Sequence, residues 1–119
     1  MKGIAYNHIV DSEVLVFKLK SDFLKALAHP IRLSIIEQLK NGELSVGDLV
    51  HKLGIEQSTI SKNLAILRQA GILSSRQEKV TVYYAVRDPD IFKVLRLVAD
   101  FLSKKLNETQ KALAHLAKR

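Results

Sequence analysis

The chain has 119 residues, enough for one modest hydrophobic core. Apolar residues make up 47% of it, which excludes wholesale disorder, and Lys plus Arg exceed Asp plus Glu by 19 to 12. The resulting formal charge of +7 favours a polyanionic partner, nucleic acid first and an anionic membrane surface second.

No cysteine is present, which excludes disulfides, thiolate metal sites, iron–sulfur clusters and thiol or persulfide switches. Residues Met1–Val10 hold one Lys and no long apolar run, so no secretory signal is expected there. No stretch approaches the roughly 18 apolar residues of a membrane span, and a soluble, cytoplasmic protein is the expectation.

Residues 1–11 read as an N-terminal arm. From Ser12, the residues Val14, Leu15, Phe17, Leu19, Phe23, Leu24 and Leu27 recur close to helical spacing, predicting a helix over 12–28. His29-Pro30 breaks it, because the residue before proline avoids helical geometry, and Pro30 suits the first position of a second helix, with His29 as its cap. That helix runs to about Lys40 on Ile31, Leu33, Ile35, Ile36 and Leu39, and Asn41-Gly42 ends it. After a short linker at Glu43-Leu44, Ser45 with Asp48 three residues on reads as a capping box. The short third helix uses Leu49, Val50 and Leu53 and closes at Gly54.

A fourth helix from about Gln57 to Ala70 puts Ile60, Leu64 and Leu67 inward and Gln57, Ser58, Thr59, Ser61, Lys62, Asn63, Arg68 and Gln69 outward, and Gly71 stops it. Residues 72–87 read as a β-hairpin with its tip at Gln77-Glu78-Lys79 and a returning strand rich in β-branched and aromatic residues, Val80 to Val86. Asp88-Pro89-Asp90 then opens a long last helix over 88–118, with Leu95, Val98, Phe101, Leu102 and Leu106 along one side. There is no repeat, low-complexity segment or linker to divide the chain.

The order of elements makes residues 45–71 a helix-turn-helix and 72–87 a wing. A major groove about 12 Å wide admits one helix, and the entering helix needs short polar residues near its N-terminus to meet base edges. Gln57, Ser58, Thr59, Ser61, Lys62 and Asn63 fit that need, with Arg68 on the same face. Arg76 and Lys79 in the hairpin are placed to reach a backbone or a minor groove. From Glu56 to Arg87 there are five basic residues against two acidic ones, so part of the charge surplus sits where this reading needs it. The competing readings are ordinary ones: a solvated helix face and hairpin-tip charges. A last helix of this length outreaches so small a core, which favours an intermolecular seam over packing on its own chain.

The runs Phe23 to Leu33, Glu43 to Leu49 and Gln57 to Leu73, with Val82-Tyr83-Tyr84 in the wing, resemble the ArsR/SmtB family of bacterial and archaeal repressors. The resemblance spans roughly Ser21 to Phe101, and Gln57 to Leu73 is its most specific part. It implies a mainly α winged helix-turn-helix with a β-hairpin wing. It also implies a homodimer paired through the first and last helices (Val14, Leu15, Phe17, Leu95, Val98, Phe101, Leu102 and Leu106), binding an inverted-repeat operator in double-stranded DNA as a repressor and releasing it when an effector binds.

The family's metal sites do not carry over. Its thiolate site falls on Ser45-Val46-Gly47, which offers no soft ligand, and its Asp-x-His site falls on Asp90-Ile91-Phe92, then Ser103 and Leu106, where only the Asp survives. No metal or cofactor is therefore expected, and a small-molecule effector is left open. Two alternatives stand beside this reading: a non-standard metal site of His8, Asp11, Glu13 and a partner's His115, and a winged helix used as a protein-interaction module in a transcription complex. No nucleophile–base pair, phosphate loop or paired carboxylates point to an enzyme.

Overall fold

The computed structural model describes residues 11–117. They fall into two compact units, one ending at Arg87 and the other starting at Asp88. The first unit contains helix α1 (Asp11–Leu27), helix α2 (Pro30–Gln38) with a 3-10 turn at Leu39–Asn41, and strand β1 (Leu44–Ser45). It continues with helix α3 (Val46–Leu53), helix α4 (Gln57–Gln69) and strands β2 (Leu73–Glu78) and β3 (Thr81–Val86). The second unit is one helix, α5 (Asp90–Ala117).

Helix ends follow the local chemistry. His29 caps α2 by accepting the Ile31 N–H on Nδ1 at 3.1 Å, with Pro30 in the first turn. Ser45 and Asp48 form a reciprocal capping box at α3, with Asp48 N–H donating to Ser45 Oγ at 3.1 Å and Ser45 N–H to Asp48 Oδ2 at 3.0 Å. Gly54 ends α3 in the left-handed region at φ 65°, where a β-carbon would be strained. Asp88 accepts the Asp90 N–H at 2.9 Å at the start of α5.

The core of the first unit is built from the inner faces of these helices. Ile35 and Ile36 of α2, Leu49 of α3, Ile60, Leu64 and Leu67 of α4, and Leu73 of β2 are fully buried. The helix-turn-helix is thus clamped by α2 on one side and the sheet on the other, which orients α4.

The sheet has three antiparallel strands in the order β1-β3-β2. Leu44 and Ser45, read as a linker, pair with Tyr84 and Tyr83. The β2–β3 register pairs Glu78 with Thr81, so the hairpin tip is the two residues Lys79 and Val80 rather than 77–79. Val80, expected to begin the strand, is 93% exposed there, and Lys79 takes φ 58° to make the turn. A non-glycine residue in that region costs roughly 1–2 kcal/mol.

Removing the α3 cap tests this local reading. Ser45→Ala leaves the Asp48 amide without its acceptor and should lower stability by about 1 kcal/mol, read as a fall in melting temperature of roughly 3–6 °C. The Ser45 backbone N–H also holds the Asp48 carboxyl below its ordinary range. A carboxylate whose folded pKa is depressed stabilises at neutral pH and loses that contribution as pH falls through the lowered value.

Candidate nucleic-acid interface

The turn at Gly54 and Ile55 joins α3 to α4, and α4 turns one face to the core and the other to solvent. Gln57, Ser58, Ser61, Lys62 and Arg68 are exposed, and Thr59 is half-buried. No side chain caps the α4 N-terminus, which leaves its first amides without a side-chain acceptor at the positive end of its dipole. The Ser58 hydroxyl donates to Glu56 Oε1 at 2.7 Å, a bond it must exchange to meet another acceptor. Among the described residues, α4 exposes no large apolar side chain.

Asn63 corrects the sequence reading. Expected to face outward with its neighbours, it is only 4% exposed and lies in the inner stripe with Ile60, Leu64 and Leu67. Its amide accepts from Arg32 Nη1 at 3.0 Å and donates to the Thr59 carbonyl at 2.9 Å. A signal was available: position 63 follows Ile60 by three and precedes Leu67 by four, so it belongs to the apolar stripe by spacing.

In the wing, Lys79 stands exposed at the tip, while Arg76 does not stand free. Its guanidinium grips both oxygens of Glu43, lies 3.3 Å from Glu78 and covers the Tyr83 ring at 4.8 Å. The Glu43 carboxyl is held below its ordinary range chiefly by that hydrogen bond, and the Arg76 guanidinium is held more firmly charged by it. Arg76 therefore ties the wing to the residue preceding β1.

Two further surfaces are unusual for an exposed helix. On α1, Leu15 and Phe17 are exposed and Val14 is half-buried. On α5, Val98, Phe101, Leu102 and Leu106 are exposed, Phe101 by 67%, and Leu95 is half-buried. Leu97, not singled out from the sequence, is as exposed as Phe101 and widens the stripe. At 28 residues α5 is about 42 Å long.

Among the described residues no three His, Asp or Glu side chains lie together as a metal site. His8, one member of the non-standard metal set, lies outside the described residues. No described helix is long and apolar enough to cross a membrane.

A helix-turn-helix whose second helix shows hydroxyl, amide and lysine groups to solvent, followed by a hairpin, defines a winged helix-turn-helix DNA-binding regulator. Residues 29–75 match the model of the arsR family of bacterial regulatory proteins. The chain is 36% identical over 108 residues to the uncharacterized HTH-type transcriptional regulator Rv0081 of Mycobacterium tuberculosis, covering 90% of this chain and 94% of that one. The crystal structure of that relative superposes with a TM-score of 0.71 over 78% of this chain and 94% of its own. The chain belongs to the arsR family. It is also 44% identical over 75 residues to the biofilm growth-associated repressor of Agrobacterium fabrum, covering 63% of this chain and 62% of the relative. The solution structure of the homodimeric winged helix-turn-helix DNA-binding domain of Mb0332 from Mycobacterium bovis matches with a TM-score of 0.71 at 29% identity, over 77% of this chain and 88% of that one.

Proposed function

We propose that the chain binds an inverted-repeat operator in duplex DNA as a homodimer and represses transcription in the cytoplasm. The observation that carries this is the outward face of the first turns of α4, where Gln57, Ser58, Thr59, Ser61 and Lys62 surround an uncapped helix N-terminus. Such a face pairs with base edges through its amide and hydroxyls and with phosphate through Lys62 and the free amides. Arg68 and Lys79 are phosphate contacts further out. Arg76 belongs to the same group, but it reaches DNA only by giving up part of its grip on Glu43. Asn63 is excluded by its burial.

Repression is supported by the kinship with the Agrobacterium repressor, and the homodimer by the exposed apolar faces of α1 and α5 and by the homodimeric Mb0332 domain. The metal-responsive alternative rests on His8, Asp11, Glu13 and a partner's His115; at the positions of the family's own sites, Ser45 caps α3 and Asp90 pairs with Lys93 at 3.3 Å. The absence of a large apolar side chain from the exposed side of α4 argues against a protein-docking helix.

The test is fluorescence anisotropy of a labelled duplex from the gene's own upstream region, against random competitor, with and without zinc. Competitor-resistant binding supports the reading, and release by zinc would restore the metal-responsive one. Lys62→Ala should weaken binding to all duplexes and reduce the log–log salt slope by about one unit. Ser58→Ala or Thr59→Ala should instead lose roughly 1–3 kcal/mol of discrimination at one base position. Parent-like behaviour of all three variants would remove α4 from the interface.

A further inference from the structure

One side chain joins three helices of the first unit. Arg32 projects from the first turn of α2, and its Nε donates to the Ala26 carbonyl at 2.6 Å, its Nη2 to the Lys25 carbonyl at 3.2 Å and its Nη1 to Asn63 Oδ1 at 3.0 Å. The two carbonyls belong to the last turn of α1. A continuing helix would offer Ala26 the amide four residues on, but that residue is Pro30, which has none. The guanidinium supplies the missing donor and places positive charge at the negative end of the α1 dipole. On its far side it holds Asn63, whose amide is locked in orientation by its second bond to the Thr59 carbonyl, within α4 itself.

We propose that Arg32 is a positioning residue: it fixes the direction of α4 relative to α1 and so sets the separation of the two recognition helices in the dimer. A planar fork bonded at three points resists rotation in a way that apolar packing does not, because side chains such as Leu64 and Ile60 tolerate small sliding while hydrogen bonds to a rigid plane do not. Asn63 is the only buried polar side chain among the described residues, and its place in the stripe is bought by this contact. The effect on half-site separation rests on the dimeric DNA-binding reading above, whereas the α1–α4 link does not.

The absence of cysteine makes the link measurable. Spin labels at Lys18→Cys on α1 and Lys62→Cys on α4 of one chain, diluted with unlabelled protein and without DNA, report the α1–α4 distance by pulsed electron resonance. The unaltered link should give one narrow distribution. Arg32→Lys keeps the charge but loses the fork, and it should broaden and shift that distribution. Asn63→Ala, which spares the α1 cap, should do the same and carries the test if Arg32→Lys does not fold. A role in stability alone would lower the melting temperature and leave the distances of the folded protein unchanged, which would overturn the proposal.

On DNA, Arg32→Lys should lose roughly tenfold affinity for the operator while random duplex shifts less than about twofold, and it should no longer distinguish half-sites moved one base pair apart. An unchanged spacing preference in a folded dimer would also overturn it. Failure of the unaltered protein to prefer its operator would instead count against the DNA-binding reading, with the distance measurement still deciding the role of Arg32.

Discussion

Val98→Asp combined with Phe101→Asp is expected to convert a dimer into a monomer and to weaken operator binding by about 100-fold or more. Both side chains are at least half exposed in the single chain, so the substitutions remove little packing from it and should leave its melting behaviour near that of an isolated protomer. In a two-fold seam each position occurs twice. Burial of a Val or Phe side chain contributes roughly 1.5–3 kcal/mol, and four lost burials exceed what a modest dimer holds in reserve. Four carboxylates brought together without partners add a further penalty. The operator loses affinity because linked half-sites raise each other's effective concentration, and a monomer reads only one. Sedimentation velocity and anisotropy on one preparation check both parts. A dimer that survives the double substitution would move the seam away from α5.

The parts of the fold that were legible in the sequence are those whose cause is local. His29-Pro30, Ser45 with Asp48, and Gly54 each satisfy backbone groups within a few residues, and each marks a helix end where the structure has one. The apolar spacing of α4 was legible for the same reason, as Ile60, Leu64 and Leu67 lie on one stripe whatever they pack against.

What escaped depends on residues far apart in sequence. Strand β1 is two residues long, too short to show an alternation, and exists because Leu44 and Ser45 meet Tyr84 and Tyr83. Arg76 read as a free wing charge because its main partner, Glu43, is 33 positions earlier. Asn63 is the instructive case. Its polarity argued for solvent and its spacing for the core, and the spacing prevailed because Arg32, 31 positions away, supplies the hydrogen bond that makes burial tolerable. The hairpin tip shifted by a smaller version of the same effect, since cross-strand register, not the polarity of Gln77 and Glu78, decides which two residues turn.

The second large effect concerns the inner face of α4. Leu64→Ala removes a fully buried side chain from the point where α4 meets the other core elements of the first unit, and Leu→Ala at such sites costs about 2–5 kcal/mol. That is a large share of a total stability of about 5–15 kcal/mol, and at roughly 3–6 °C per kcal/mol the melting temperature should fall by roughly 6–30 °C. Ile66→Ala, on the same helix but half-buried, should cost clearly less, and Lys62→Ala should leave the transition near its original temperature. The three variants must be compared at one chain concentration, because dimerisation couples to unfolding. The order matters more than the absolute values. Leu64 and Lys62 are two positions apart on one helix, and the structure buries the first and leaves the second exposed. Adding operator DNA should therefore raise the Leu64→Ala melting temperature, since a ligand that binds only the folded state stabilises it by mass action, and should raise that of Lys62→Ala by less than that of the parent. A larger thermal loss for Lys62→Ala than for Leu64→Ala would mean that α4 is rotated about its axis from the orientation described, with Lys62 packed and Leu64 facing outward.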